Sequence, residues 1–252
     1  MSDELSTTPA EQTSALDLAG KQSRRDFLKK AGLGTAAAAA VWVVPQVTSV
    51  GAQRAYAAST GPCIPRVIDF EGFSKGTKIT NQIPGMTVSA TGGSGDAMIF
   101  DTSNPTGFDF DLGTPNQAFA GPGIGTGGDG TPAAGINNIA LGKVLIISED
   151  GSSFDPDDNA GGGTITFVFD NPVSIGTVKI LDIDNETSNI KVFSDAAGTT
   201  QIGSTANALD LGNNSVQTVA VNALGNNVRR MEVYFSSSGA VAEFVCPCPT
   251  FS

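Results

Sequence analysis

Residues 164–170 read Thr-Ile-Thr-Phe-Val-Phe-Asp, so Ile165, Phe167 and Phe169 fall on one side of the chain and Thr164, Thr166 and Val168 on the other. A period of two with one apolar side is the pattern of a strand that buries one face. Short segments of the same kind recur: 66–71, 75–82, 86–91, 97–101, 143–148, 174–184, 189–194, 201–204, 215–221, 228–236 and 240–246. Gly, Asn, Asp and Pro punctuate them, and no segment carries a convincing amphipathic-helix period. The run Lys143-Val-Leu-Ile-Ile-Ser148 is apolar throughout and reads as a central strand. Asn171-Pro172 reads as a turn, and Asp195–Gly198 as the tip of a hairpin. Such spacing predicts an all-β fold, a two-sheet antiparallel β-sandwich. The exception is 102–139, a loop-like stretch long enough to be a functional insertion.

The first 57 residues read differently. Ser23-Arg24-Arg25-Asp26-Phe27-Leu28-Lys29-Lys30 precedes an alanine-rich apolar run, and Ala55-Tyr56-Ala57 fits a small-x-small cleavage site. Arg24, Arg25 and Ala57 therefore mark a twin-arginine signal for residues 1–57, with one domain at 58–252 exported to the periplasm or beyond. The apolar run is too short and too alanine-rich to span a bilayer comfortably.

Charge narrows the partners. In 58–252 eight basic residues face twenty acidic ones, a balance of −12. Such a surface repels nucleic acid and anionic lipid and suits cations or neutral sugars. All three cysteines lie near the ends of this domain: Cys63 at its start, Cys246 and Cys248 at its close. In an oxidising compartment a disulfide from Cys63 to one of the other two would staple the first strand to the last, leaving one thiol over.

Catalytic signatures are sparse. The chain has no histidine, which removes the commonest general base and the usual zinc sites. Gly123, Gly125 and Gly128 match a dinucleotide-binding spacing, but in a Gly/Pro loop without the strand and helix that this motif needs. Acidic residues are abundant instead. Glu149, Asp150, Asp155, Asp157 and Asp158 crowd into ten positions with no base among them, and such density calls for a cation. Asp155-Pro156-Asp157-Asp158-Asn159 opens like a calcium loop, yet Ala160 and Thr166 stand where the helix-loop-helix version has glycine and glutamate. Asp96, Asp101, Asp109 and Asp111 form a second acidic group, and Asp182, Asp184 and Glu186 a third. Asp182 and Asp184 share a face with Val178 and Ile180, so either the strand bulges near Leu181 or they are buried against a cation. The alternative for all three groups is ordinary turn chemistry. The metal ligands expected are Asp109 and Asp111 from the insertion with Asp155, Asp157 and Asp158 from the acidic loop.

The segments IDFEGFSKGTKITNQIPGMTVSA, DAMIFDTSNPTGFDFDLGTPN, VLIISEDGSSFDPDDNAGGGTITFVFDNPVSIGTVKILDID and SSSGAVAEFVC resemble, in order, a family of secreted bacterial β-sandwich domains. These domains occur in surface proteins with sorting tails of the PEP-CTERM kind and are similar to galactose-binding-like, carbohydrate-binding jelly rolls. The resemblance implies that the sandwich is of jelly-roll type, with a structural calcium joining an acid of the first strand to one of the last. Glu71 matches the first. Val241-Ala242-Glu243 replaces the usual Ala-Val-Asp-Asn, so Glu243 stands where the second would be. The expected function is a secreted, non-catalytic, calcium-stabilised module that binds glycans or serves adhesion or an extracellular matrix. The alternatives are a carboxylate-dependent polysaccharide hydrolase and a purely structural surface protein.

Overall fold

The computed structural model describes residues 65–126, 135–184 and 187–247. The chain divides into two units, Met1–Ser49 and Val50–Ser252, and every described residue belongs to the second. The signal expected in 1–57, with Arg24, Arg25 and Ala57, lies outside the described residues, as do Cys63 and Cys248.

The described residues form an antiparallel all-β fold of nine strands: β1 (Arg66–Ile68), β2 (Met86–Thr91), β3 (Ala97–Asp101), β4 (Lys143–Ile147), β5 (Gly163–Ile183), β6 (Ser188–Phe193), β7 (Ala206–Asn207), β8 (Gly212–Phe235) and β9 (Ala240–Cys246). Their order is β3-β4-β9-β5-β8-β6-β7, with β1 added to β9 and β2 added to β5.

Two strands are far longer than the alternation suggests, and they organise the rest. The first part of β5 lies between β2 and the end of β8, with Met86 opposite Phe169 and Gly163 opposite Phe235. Its last part, Thr177–Leu181, lies between β9 and the start of β8. Asn171-Pro172 is therefore not the turn expected. The chain runs through it, and the pairing with β8 slips between Val168 and Val173. Proline removes one ladder donor, which a bulge tolerates and a regular central strand does not. Likewise 215–221 and 228–236 belong to one strand. Segment 75–82 is not a strand: it makes one bridge, Lys78 to Met98, while bonds such as Ile79 N–H to the Ala97 carbonyl at 2.8 Å lay it along β3. The segment 201–204 is reduced to a bridge between Phe193 and Gln201.

Apolar residues explain how the two ends of β5 fold together. Phe244 of β9 meets Phe167 edge-on at 5.0 Å between ring centroids and Phe169 at 6.2 Å, although β9 pairs with the far end of β5. Around them Ile99, Leu145, Ile147, Ile165, Val178, Val233 and Val241 complete the main core. The alternate residues of β3, β4 and β9 (Met98, Phe100, Val144, Ile146, Ala240 and Ala242) form a second core with Leu112 and Leu181. Leu112 comes from the long insertion, which folds back over this outer face. Burial on both faces is why β4 reads as an unbroken apolar run.

The first and last strands are neighbours, as expected, with Arg66 opposite Cys246. The Cys246 thiol is pushed up to about 11, chiefly by burial. Among the described residues it is free.

Candidate functional site: a buried carboxylate cluster

The insertion carries its own carboxylates to the outer core. Leu112, fully buried, sits in a single turn of 3-10 helix (Phe110–Leu112), and so fixes Asp109 and Asp111 at the edge of the sheet. The acidic loop reaches the same place from the other side. It returns to the end of β4, where Asn159 N–H donates to the Ile147 carbonyl at 2.8 Å and Ser148 bridges Asp158. The two segments are bonded side by side. Asp158 N–H donates to Asp109 Oδ2 at 2.7 Å, Gly107 N–H to Asp155 Oδ1 at 3.1 Å, and Thr106 Oγ1 to the Pro156 carbonyl at 2.8 Å. Gly107, at φ +65°, lies so close to Asp157 that any Cβ there would collide with it.

A third element supplies Asp182. The bulge raised by the sequence is present, between Leu181 and Ile183 of β5, and while Asp184 is only partly buried, Asp182 is buried there at φ +64°. Left-handed backbone turns its carboxylate away from the ladder. Oδ1 accepts the Asn214 N–H at 2.6 Å and Oδ2 the Ser238 hydroxyl at 3.1 Å. Asp158 Oδ2 accepts the Gly239 N–H at 2.8 Å, so the 236–239 turn holds both acids.

Electrostatics mark the cluster as unusual. Burial first, then the charge of Asp158, pushes Asp109 up to about 8. Asp182 rises to about 8 through burial and then the charge of Asp111. Asp158 rises to about 6, mainly by burial. Asp111 is also raised, by burial and then by Asp184. Asp157 is raised by burial, then by Asp150 and Glu149, and its Oδ1 is buried without a hydrogen-bond partner. The ion pairs found among the described residues are Lys78–Asp96, Lys143–Asp101, Lys179–Glu243 and Arg230–Glu232. None reaches Asp109, Asp111, Asp158 or Asp182.

Not every expected ligand joins. Asp155 is exposed, with Oδ1 turned to Gly107. Asp96 and Asp101 are held by lysines. Glu71 Oε1 accepts the Lys143 N–H at 2.8 Å, whereas Glu243 pairs with Lys179 at 2.6 Å. The structure thus gives Glu71 and Glu243 separate partners. Glu186 lies outside the described residues. Nor is the cluster a finished coordination shell: among the described residues no three acids or cysteines stand at metal-holding geometry.

Beside the carboxylates lies a buried amide network that sequence reasoning missed. Asn214 Oδ1 accepts from Asn116 Nδ2 at 2.7 Å and from Asn137 Nδ2 at 2.9 Å. Its own Nδ2 donates to the carbonyls of Asp111 and Gly113. These three asparagines pin the insertion to the start of β8. Asn214 sits at φ +63°, a conformation asparagine tolerates better than most residues. Only the bias of asparagine toward such turns could have flagged it. No protein family, curated sequence or solved structure matches this chain.

Proposed function

We propose that this chain is an exported, non-catalytic β-module stabilised by calcium, with its contacts carried by the loops around the cluster. One observation carries the reading: Asp109, Asp111, Asp158 and Asp182 are drawn from three distant segments into one partly buried place, and no base among the described residues pairs with them. A fold that gathers such charge must supply protons or a cation. Calcium suits the donors, since it takes six to eight oxygens in flexible geometry. Asp109 accepts the Asp158 N–H and Asp158 the Gly239 N–H, and the two side chains also hydrogen-bond one another, a contact that a cation would replace. The lone Asp157 Oδ1 is a further donor.

The hydrolase alternative is less favoured. Two catalytic carboxylates need roughly 5–10 Å between them to accommodate a sugar, whereas Asp109 and Asp158 are in hydrogen-bond contact. A glycan-binding role draws support from an open recess of about 630 Å³ lined by Asn116, Gln117, Ala118, Ile124, Gly125 and Thr126, which combines neutral polar groups with an apolar side chain. The jelly-roll topology belongs to this proposal as well, supported by the packing of Phe244 on Phe167 across the fold.

Calorimetric titration with calcium at pH 7.5 tests the metal. Binding in the range of roughly 10⁻⁴ to 10⁻³ M, typical of extracellular modules, with protons released, is expected. Absence of binding contradicts the reading. A glycan array with and without calcium separates a sugar-binding module from a purely structural one.

A further inference from the structure

Phe108 and Phe154 are the two most exposed large apolar residues among those described, at 91% and 92%. They stand on the two segments that Gly107–Asp155 and Thr106–Pro156 bond together, so two distant aromatic residues project from one tip. Phe108 does so at φ +70°, a region that bulky side chains rarely occupy. Turns ordinarily place glycine or asparagine in such a conformation. Phe110, two residues on and 44% exposed, lies against Ile124, whose N–H donates to its carbonyl at 2.8 Å. The segment Phe108-Asp109-Phe110-Asp111 thus turns its carboxylates toward the cluster and its rings outward.

Charge decides the partner. Glu149, Asp150 and Asp155 are exposed around the tip. Lys78, beside Gly151 of the acidic loop, is taken by Asp96. Two copies of the chain, each at −11, repel one another, and anionic lipid is repelled for the same reason. A cationic side chain fits both features, because guanidinium or ammonium groups stack on aromatic faces and pair with carboxylates.

We propose that Phe108 and Phe154 form a docking tip for a basic polypeptide segment in which arginine or lysine alternates with apolar residues. This inference rests on exposure and charge and does not depend on the cation. The test is fluorescence anisotropy of a labelled twelve-residue peptide of alternating arginine and leucine, titrated with the full chain in calcium and again in chelator. Binding that weakens about fivefold for each of Phe108→Ser and Phe154→Ser, the order expected for exposed cation–π contacts, and that falls with added salt, supports the tip. Unchanged melting temperatures establish that the variants remain folded. The proposal is overturned by absence of binding, by equal affinity for an aspartate–leucine peptide, by indifference to both substitutions, or by tighter binding to neutral lipid vesicles or to a second copy of the chain. Persistence of binding in chelator leaves the tip intact and bears only on the metal.

Discussion

Asp109 Oδ2 receives the N–H of Asp158 at 2.7 Å, which joins the long insertion to the acidic loop across 49 positions of sequence. Both carboxyls then lie together at the margin of the outer core, with Asp182 completing the group from the bulge in β5. The insertion is thus more than a connection. It covers one face of β4 through Leu112 and delivers two of the carboxylates in the same stroke.

This arrangement sets a pH dependence for the cation-free protein. The carboxyls of Asp109, Asp158 and Asp182 titrate near 8, 6 and 8 when folded, above their value of 3.8 in the unfolded chain. Between these limits the native state holds more protons, so stability falls as pH rises. Their contribution is fully present below about pH 4 and is lost through pH 6–8. Urea unfolding in chelator across that window should show a falling midpoint. A rising one contradicts the burial of these acids.

Replacing one carboxylate by its neutral isostere should separate folding from metal binding. Asp182→Asn retains an acceptor for the Asn214 N–H and removes the buried charge. In chelator at pH 8 it should stabilise the fold by at least about 1 kcal/mol, one unit of pKa being worth about 1.4 kcal/mol. In calcium the same variant should gain less than the parent. Denaturant melts in both buffers measure the difference.

The amide network makes a separate prediction. Asn214 is fully buried and joins Asn116, Asn137, Asp111 and Gly113. Asn214→Ala orphans several of these groups, each worth about 1–3 kcal/mol when left unpaired. Loss of about 3 kcal/mol or more in urea unfolding is expected, and a loss under about 1 kcal/mol contradicts a structural role for the network.

Glu243 provides the contrast. Its partner Lys179 and its own side chain are each about one-third exposed, so Glu243→Gln should change stability by less than about 1 kcal/mol and leave the calcium response unaltered. A lost calcium response would instead assign Glu243 to the calcium site that the resemblance implies.

How much of this was legible is clear from individual elements. Strands β2, β3 and β9 are visible at their observed ends, because alternation or continuous apolarity persists over their full length. The 163–183 and 212–235 segments are not. Proline and asparagine inside them signal turns, while long-range pairing with β2, β8 and β9 carries the strand through as bulges. Asp109, Asp111 and Asp158 are legible as members of the cluster because carboxylate density is local information. Asp182 was recognisable only as a conflict between strand phase and charge. Asn116, Asn137 and Asn214 carried no signal beyond the turn bias of asparagine, since their roles arise from contacts 77 and 98 positions apart.

The central claim is that a cation completes the carboxylate cluster, and thermal melting at pH 7.5 tests it most directly. Millimolar calcium should raise the midpoint by about 5 °C over the same protein in chelator, for a domain of this size and a site of extracellular affinity. Identical midpoints in the two buffers would contradict the account.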